Sequence, residues 1–240
     1  MNILVVNDDS IHAPGIAALA QAASEIGDVW VVAPAEQCSA MSQKLTLRET
    51  LSFKKLEDFP ANVKGAYEVG GTPVDCVKVA LYYVLKEKPD LVLSGINNGY
   101  NAGYDINYSG TLGAAFEALR NGIPAIAFSA AGDAHLEAAQ PYVLPLLRQL
   151  LEKETDMGAV WNVNFPAMKD KAPEGILWDT VSAPVSMFEE IYIESPQPDG
   201  SMHLVCRGVP IPNSKVPTGT DVEAVRKGYI SVGRVRTAGM

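Results

Sequence analysis

Short apolar runs that do not alternate with polar residues constrain this chain most. Ile3-Leu-Val-Val6, Val29-Trp-Val-Val-Ala33, Leu91-Val-Leu-Ser94, Pro124-Ala-Ile-Ala-Phe128 and Val160-Trp-Asn-Val-Asn-Phe165 are each rich in β-branched residues. Such runs read as strands buried on both faces, the pattern of a parallel sheet. Between them lie helical patterns, from about Ile16 to Ile26, Gly110 to Leu119 and Leu136 to Leu151. Another starts at Thr72-Pro73, where threonine caps and proline fills the first helical position, and carries Val74, Val77, Leu81 and Leu85 at core spacing up to Lys88. Strand, helix and strand in that rhythm suit right-handed parallel crossovers, so the fold class is α/β with a mostly parallel sheet. Residues Leu45 to Leu56 alternate imperfectly, as a hairpin arm or an edge insertion would, and Tyr67–Val69 is a short strand. Beyond Pro166 the pattern changes. Glu190–Ile193 and Met202–Cys206 flank the turn-rich Pro196-Gln-Pro-Asp-Gly200, which predicts a C-terminal β-hairpin arm at about 186–215, and Tyr229–Val232 is a last strand. No repeat or linker divides the chain, which reads as one domain over 1–240.

The first strand runs directly into Asn7-Asp8-Asp9. Open α/β sheets bind ligands at the carboxyl ends of their strands, and two carboxylates side by side there repel unless a cation or proton lies between them. A cap on the next helix is the bland alternative for one of them. The loops after the second and third strands deliver Ser39 and Asn97 to the same edge. These are all oxygen donors, and hard oxygens suit Mg²⁺, Mn²⁺ or Ca²⁺ rather than zinc. The third strand is followed by a glycine- and asparagine-rich loop, Gly95 to Tyr108, and then by the helix start Ser109-Gly110-Thr111. Free N–H groups and hydroxyls at a helix N-terminus form a ready phosphate site, and a long loop in a compact domain usually has a function. Asn101, Ser109, Gly110 and Thr111, with Asn97, are therefore the expected phosphate-binding residues. His12 is a candidate proton donor, Lys44 a candidate phosphate contact, and Tyr100, Tyr104 and Tyr108 either stack on a base or pack the loop. His135 and His203 have no partner visible in sequence.

Composition narrows the partners. A net charge of −9 over 240 residues argues against nucleic acid or an anionic membrane as the main partner, while a bound cation still admits an anionic small substrate. No apolar run is long enough to span a bilayer, and the N-terminus lacks a signal-type segment. Cys38, Cys76 and Cys206 are odd in number and widely spaced, which predicts free thiols in a reducing cytoplasm.

The assembled motifs resemble one family, the SurE stationary-phase survival proteins, which are metal-dependent 5′-nucleotidases. The resemblance is carried by Ile3-Leu-Val-Val-Asn-Asp-Asp9, Ala13-Pro-Gly-Ile16, Val32-Ala-Pro34, Gly71-Thr-Pro-Val-Asp-Cys76 and Pro89-Asp-Leu-Val-Leu-Ser-Gly-Ile-Asn97. It continues through Tyr108-Ser-Gly-Thr111, Gly122-Ile-Pro124, Asn162-Val-Asn-Phe-Pro166, Thr220-Asp221 and Gly228-Tyr-Ile-Ser231. It implies a Rossmann-like three-layer core, one divalent ion per subunit, hydrolysis of nucleoside 5′-monophosphates, and a homodimer or homotetramer joined through C-terminal arms. The implied metal ligands fall on Asp8, Asp9, Ser39 and Asn97, with Mg²⁺ or Mn²⁺ expected. Two positions depart from the family pattern. Ser10 stands where glycine is usual, so a positive φ there would strain it. Gln43-Lys44 replaces a His- or Arg-then-Ser pattern.

The expected chemistry is phosphate hydrolysis, with the metal as Lewis acid and Asp8 activating water or, as the second choice, attacking phosphorus itself. The competing readings are weaker. A receiver domain shares the acidic pair but needs an aspartate where this chain has Ser94-Gly95. A dinucleotide-dependent oxidoreductase needs a Gly-x-Gly-x-x-Gly after the first strand, which is absent. A catalytically inactive nucleotide-binding relative remains as the alternative within the family.

Overall fold

The computed structural model describes residues 1–168 and 171–236. The strands in chain order are β1 (Asn2–Val6), β2 (Asp28–Pro34), β3 (Phe53–Leu56), β4 (Gly65–Val69), β5 (Leu91–Asn98), β6 (Ala125–Ala130), β7 (Val160–Phe165), β8 (Ile176–Trp178), β9 (Phe188–Pro196), β10 (Met202–Pro210) and β11 (Ile230–Val235). The helices are α1 (Pro14–Ser24), α2 (Pro73–Val79), α3 (Gly110–Arg120), α4 (Leu136–Leu151) and α5 (Asp221–Arg226). Among the described residues one sheet has the order β3-β4-β2-β1-β5-β6-β7-β11-β8. It is parallel except where β3 meets β4 and β11 meets β7.

The sheet is covered on both faces, which is why its strands are apolar on both. On one side Ile16 and Leu19 of α1 and Val143 and Leu147 of α4 pack on Ile3, Val5, Leu93 and Phe128. On the other, Val77 of α2 and Leu112 and Ala115 of α3 pack on Leu4, Val6, Val92 and Ala127. The result is a Rossmann-like three-layer α/β/α sandwich. The small residues of α3 bring it close to its neighbours; a Cβ on Gly113 would stand 2.0 Å from the Ser42 carbonyl oxygen.

Several boundaries differ from those the sequence predicts. β5 does not stop at Ser94. Its pairing with β6 shifts after Ser94 and resumes with Asn97 opposite Ser129, so the strand extends to Asn98. Gly95 makes the shift possible: its φ is 131°, and a Cβ there would lie 2.2 Å from the Phe128 carbonyl oxygen. The expected open loop is therefore short, and a 3₁₀ turn from Gly103 to Tyr108 occupies its second half. α2 ends at Val79 rather than near Lys88. The chain continues as a single π turn, Ala80–Val84, closed by the Leu85 N–H donating to Ala80 O (2.9 Å). Aromatic Tyr82 and Tyr83 at its end are weak helix formers. Of the two readings for Leu45–Leu56, the edge insertion holds: only Phe53–Leu56 forms a strand, on the outer side of β4. β8 was not anticipated, being a half-buried triplet too short to show a period.

The C-terminal hairpin is present inside the predicted arm, and its strands run longer than Glu190–Ile193 and Met202–Cys206. Among the described residues β9 and β10 pair only with each other, and every residue in both is exposed, including Phe188, Ile191, Tyr192, Leu204 and Val205.

Candidate active site

β1 lies in the middle of the parallel strands, with β2 on one side and β5 on the other. At its carboxyl end the connections leave in opposite directions and open a crevice, the usual ligand position in such sheets. Asp8 and Asp9 stand at that opening. Asp8 is 4% exposed and its Oδ1 accepts from Thr111 Oγ1 at 2.6 Å. The Thr111 main-chain N–H also lies against the Asp8 carboxylate, so the start of α3 points at it. Such an approach requires Gly110, where a Cβ would sit 2.9 Å from Asp8 Cβ and 3.0 Å from its Oδ2.

Burial raises the Asp8 carboxyl from its ordinary value to about 6; the Thr111 hydroxyl acts against the shift and the Asp9 charge adds to it. Asp9 is likewise pushed up, first by burial and then by the charge of Asp133, while the Asn98 N–H and the Gln37 amide draw it down. Its Oδ2 accepts from Asn98 N at 2.7 Å. Among the described residues no lysine, arginine or histidine forms an ion pair with either carboxylate. A buried carboxylate beside a half-buried one, with no basic side chain paired to either, fits a bound cation.

The other expected ligands arrive from the two flanking strands. The Cys38 N–H donates to Asp8 O (2.7 Å), which ties the loop after β2 to the acidic pair and sets Ser39, exposed, beside it. Asn97, at the end of β5, spends its Nδ2 on Gly99 O (2.8 Å), leaving its carbonyl oxygen as the group to offer an ion. All of these are oxygen donors, and among the described residues no cluster of three or more His, Cys, Asp or Glu side chains is arranged to hold a metal. The set fits a hard divalent ion held by two carboxylates and neutral oxygens.

The phosphate-loop residues divide. Ser109 caps α3, its Oγ accepting from Leu112 N (3.1 Å), and Gly110 follows directly. Asn101 lies in the interior, 6% exposed, and its amide nitrogen donates to Thr111 Oγ1 (3.1 Å) and Ser129 Oγ (2.8 Å). The segment is anchored behind by Asp221, which accepts from Gly103 N (3.0 Å) and Ala183 N (2.9 Å). His12 pairs with Glu68 (3.3 Å) on β4. The Lys44 carbonyl accepts from Thr72 Oγ1 (2.6 Å). Tyr104 and Tyr108 are exposed, and Tyr100 packs partly against Ala102, Val222 and their neighbours. His135 lies in the 3₁₀ turn before α4, and His203 on the exposed arm. Sequence reasoning missed Gln37 and Asp133 at the rim, and Ser129, Asn162 and Asn164 beneath it. The two asparagines carry a readable signal, since polar residues at alternate positions of a buried apolar strand face the same way.

An acidic pair facing a helix start, at the carboxyl edge of a parallel sheet, is an arrangement of α/β proteins that suits a cation beside an oxyanion. Comparison with known proteins narrows the class. The family model described as "Survival protein SurE" matches residues 3–185. The chain is 40% identical over 235 residues to "5′-nucleotidase SurE 1" of Thermus thermophilus, covering 97% of this chain and 90% of that one. It is 41% identical over 233 residues to "5′-nucleotidase SurE" of Flavobacterium psychrophilum, covering 96% and 89%. The crystal structure of the SurE protein from Aquifex aeolicus superposes with a TM-score of 0.83 at 35% identity, covering 98% of this chain and 93% of that one. This chain belongs to the SurE family.

Ser10 adopts φ 91°, the left-handed region that its departure from glycine made suspect. A non-glycine residue there is strained by about 1–2 kcal/mol, part of which glycine returns through the entropy of its unfolded state. Ser10→Gly is expected to stabilise the protein by about 0.5–1 kcal/mol and to raise Tm by about 2 °C, measured by calorimetry. A second expectation follows from Asp8. Its folded carboxyl lies above its ordinary value, so the metal-free folded state holds the proton more tightly than the unfolded state. Stability is therefore lost as pH rises from about 4 through about 6, by an amount on the order of 2–3 kcal/mol. Asp8→Asn should raise the Tm of the chelator-treated protein at pH 7.5, and the gain should shrink as pH falls through 6.

Proposed function

We propose that this chain is a divalent-metal-dependent phosphomonoesterase that hydrolyses nucleoside 5′-monophosphates to nucleoside and phosphate. The observation that carries the reading is the Asp8–Asp9 pair, without a basic partner, set against the start of α3, in a chain 40% identical over 97% of its length to a protein named a 5′-nucleotidase. Asp8, Asp9, Ser39 and Asn97 would hold one Mg²⁺ or Mn²⁺ ion per subunit. When bound, that ion supplies Lewis-acid polarisation of a phosphate oxygen and neutralises developing charge. The Ser109 hydroxyl and the main-chain N–H of Gly110 bind the remaining phosphate oxygens, where the helix end favours an anion. Asp8 takes the proton of the attacking water. Its carboxylate stands at the mouth of the crevice beside the start of α3, where a water in line with a bound phosphate would lie.

The test is phosphate release from a panel of nucleoside 5′-monophosphates, with chelator, Mn²⁺ or Mg²⁺. Release is expected only with metal, and Asp8→Asn should lower it by about a hundredfold or more with the fold intact by circular dichroism. Metal-independent release, or full turnover by a folded Asp8→Asn protein, would sink the reading. Nucleotide binding without release would favour an inactive relative.

The exposed apolar faces of β9 and β10 support assembly of the single domain through its arm into a homodimer or homotetramer. In sizing experiments the protein should run well above the 25.7 kDa of one chain, and a variant lacking the hairpin should run smaller. A monomer with the arm intact would contradict this. Three free cysteines fit a reducing cytoplasm, and among the described residues no helix is long and apolar enough to cross a membrane.

A further inference from the structure

Beneath the start of α3 a run of buried hydrogen bonds leads from the sheet to Asp8. Asn162 and Asn164 occupy alternate positions of β7 and are 3% and 0% exposed. Asn164 Oδ1 accepts from the Asn101 main-chain N–H (2.9 Å), and Asn164 Nδ2 donates to the Asn101 main-chain oxygen (3.0 Å). Asn162 Nδ2 donates to that same oxygen (2.8 Å). One side-chain amide thus takes both main-chain groups of residue 101, as a neighbouring strand would, and a second amide reinforces it. Asn162 has its own Oδ1 buried without a partner. A buried acceptor left unpaired is unfavourable, so the orientation of this amide toward Asn101 is made against a local penalty.

The direction of the bonds beyond Asn101 is determined by chemistry. An amide NH₂ can only donate, and Asn101 directs it to Thr111 Oγ1 (3.1 Å) and Ser129 Oγ (2.8 Å). Thr111 must then accept from Asn101, and its single proton goes to Asp8 Oδ1 (2.6 Å). With both hydrogens committed inside the protein, Asn101 has none left for a phosphate oxygen.

We propose that Asn162 and Asn164 are positioning residues, which grip the main chain of Asn101 and so fix the Thr111 proton on Asp8, and that Asn101 serves this relay rather than binding phosphate directly. The inference rests on the reading of Asp8 as the group that activates water. It revises the role of Asn101 and adds two residues that touch neither substrate nor metal.

Steady-state kinetics with a nucleoside 5′-monophosphate and Mn²⁺ test it. Asn162→Ala should lower kcat about tenfold with KM within about twofold, because the group disturbed acts in the reaction rather than in substrate binding. Its Tm should hold or rise, since the substitution also removes the unpaired acceptor. In an Asn101→Ala background, Asn162→Ala should bring no further loss, the mark of two residues acting through one relay. A separate readout uses the metal-free protein: the Asn101 backbone amide should exchange with deuterium at least about tenfold faster in Asn164→Ala than in the wild type. Full kcat in Asn162→Ala, additive losses in the double variant, loss matched by a fall in Tm, or unchanged exchange at Asn101 would each overturn the proposal. A rise in KM with kcat unchanged in Asn101→Ala would return that residue to the phosphate. Failure of the wild type to release phosphate would instead strike the functional reading and leave the exchange result standing.

Discussion

The contact between Asp8 and the first turn of α3 is the constraint on which the rest of the structure depends. It places an ionisable group in the interior and compensates it with a hydroxyl and a helix end rather than with a basic side chain. The contact exists because position 110 has no side chain; any Cβ there would overlap the carboxylate it is meant to face. It also fixes where α3 can lie on the sheet, and through Gly113 and Ser42 how closely the loop after β2 can follow. Fold and candidate site are thus joined at one pair of residues, and burying a carboxylate there costs local stability that a cation beside it would offset.

Sheet topology makes that contact available. Strands leave β1 toward β2 on one side and β5 on the other, so the loops that follow those neighbours converge on Asp8 from opposite directions. One brings Ser39 through the Cys38 bond to Asp8 O, and the other brings Asn97 and the Asn98 N–H to Asp9. The two arms of the site are held by different hydrogen bonds, one to the Asp8 main chain and one to the Asp9 carboxylate. A change in the Gln43-Lys44 segment can therefore alter the rim without disturbing the asparagine end.

Much of this was legible in the residues. Unalternating apolar runs announced a parallel sheet covered on both sides, and the two faces of packed helices follow from that one fact. The acidic pair, Ser39 and Asn97 could be assigned to one edge because a parallel strand determines which end its following loop occupies. The positive φ of Ser10 could be anticipated from a missing glycine. What escaped depended on pairing between distant strands. Nothing local in Gly95-Ile96 says that β5 resumes its ladder with β6 at Asn97, since the partner that permits it lies across the sheet. For the same reason nothing local shows that Asn162 and Asn164 of β7 hold the main chain of Asn101. β8, a half-buried triplet, had too few residues to show any period.

The hairpin formed by β9 and β10 carries a different lesson. Among the described residues its strands form ladder bonds with each other alone, and every residue in them is exposed. A two-stranded ribbon in water is at best marginally stable, and a third surface is what usually makes it persist. A surface laid against either face would therefore add to the stability of this ribbon. Were such a surface supplied and then diluted away, the ribbon would melt while the nine-stranded sheet remained, so that local order in this one part of the chain would follow the concentration of what covers it.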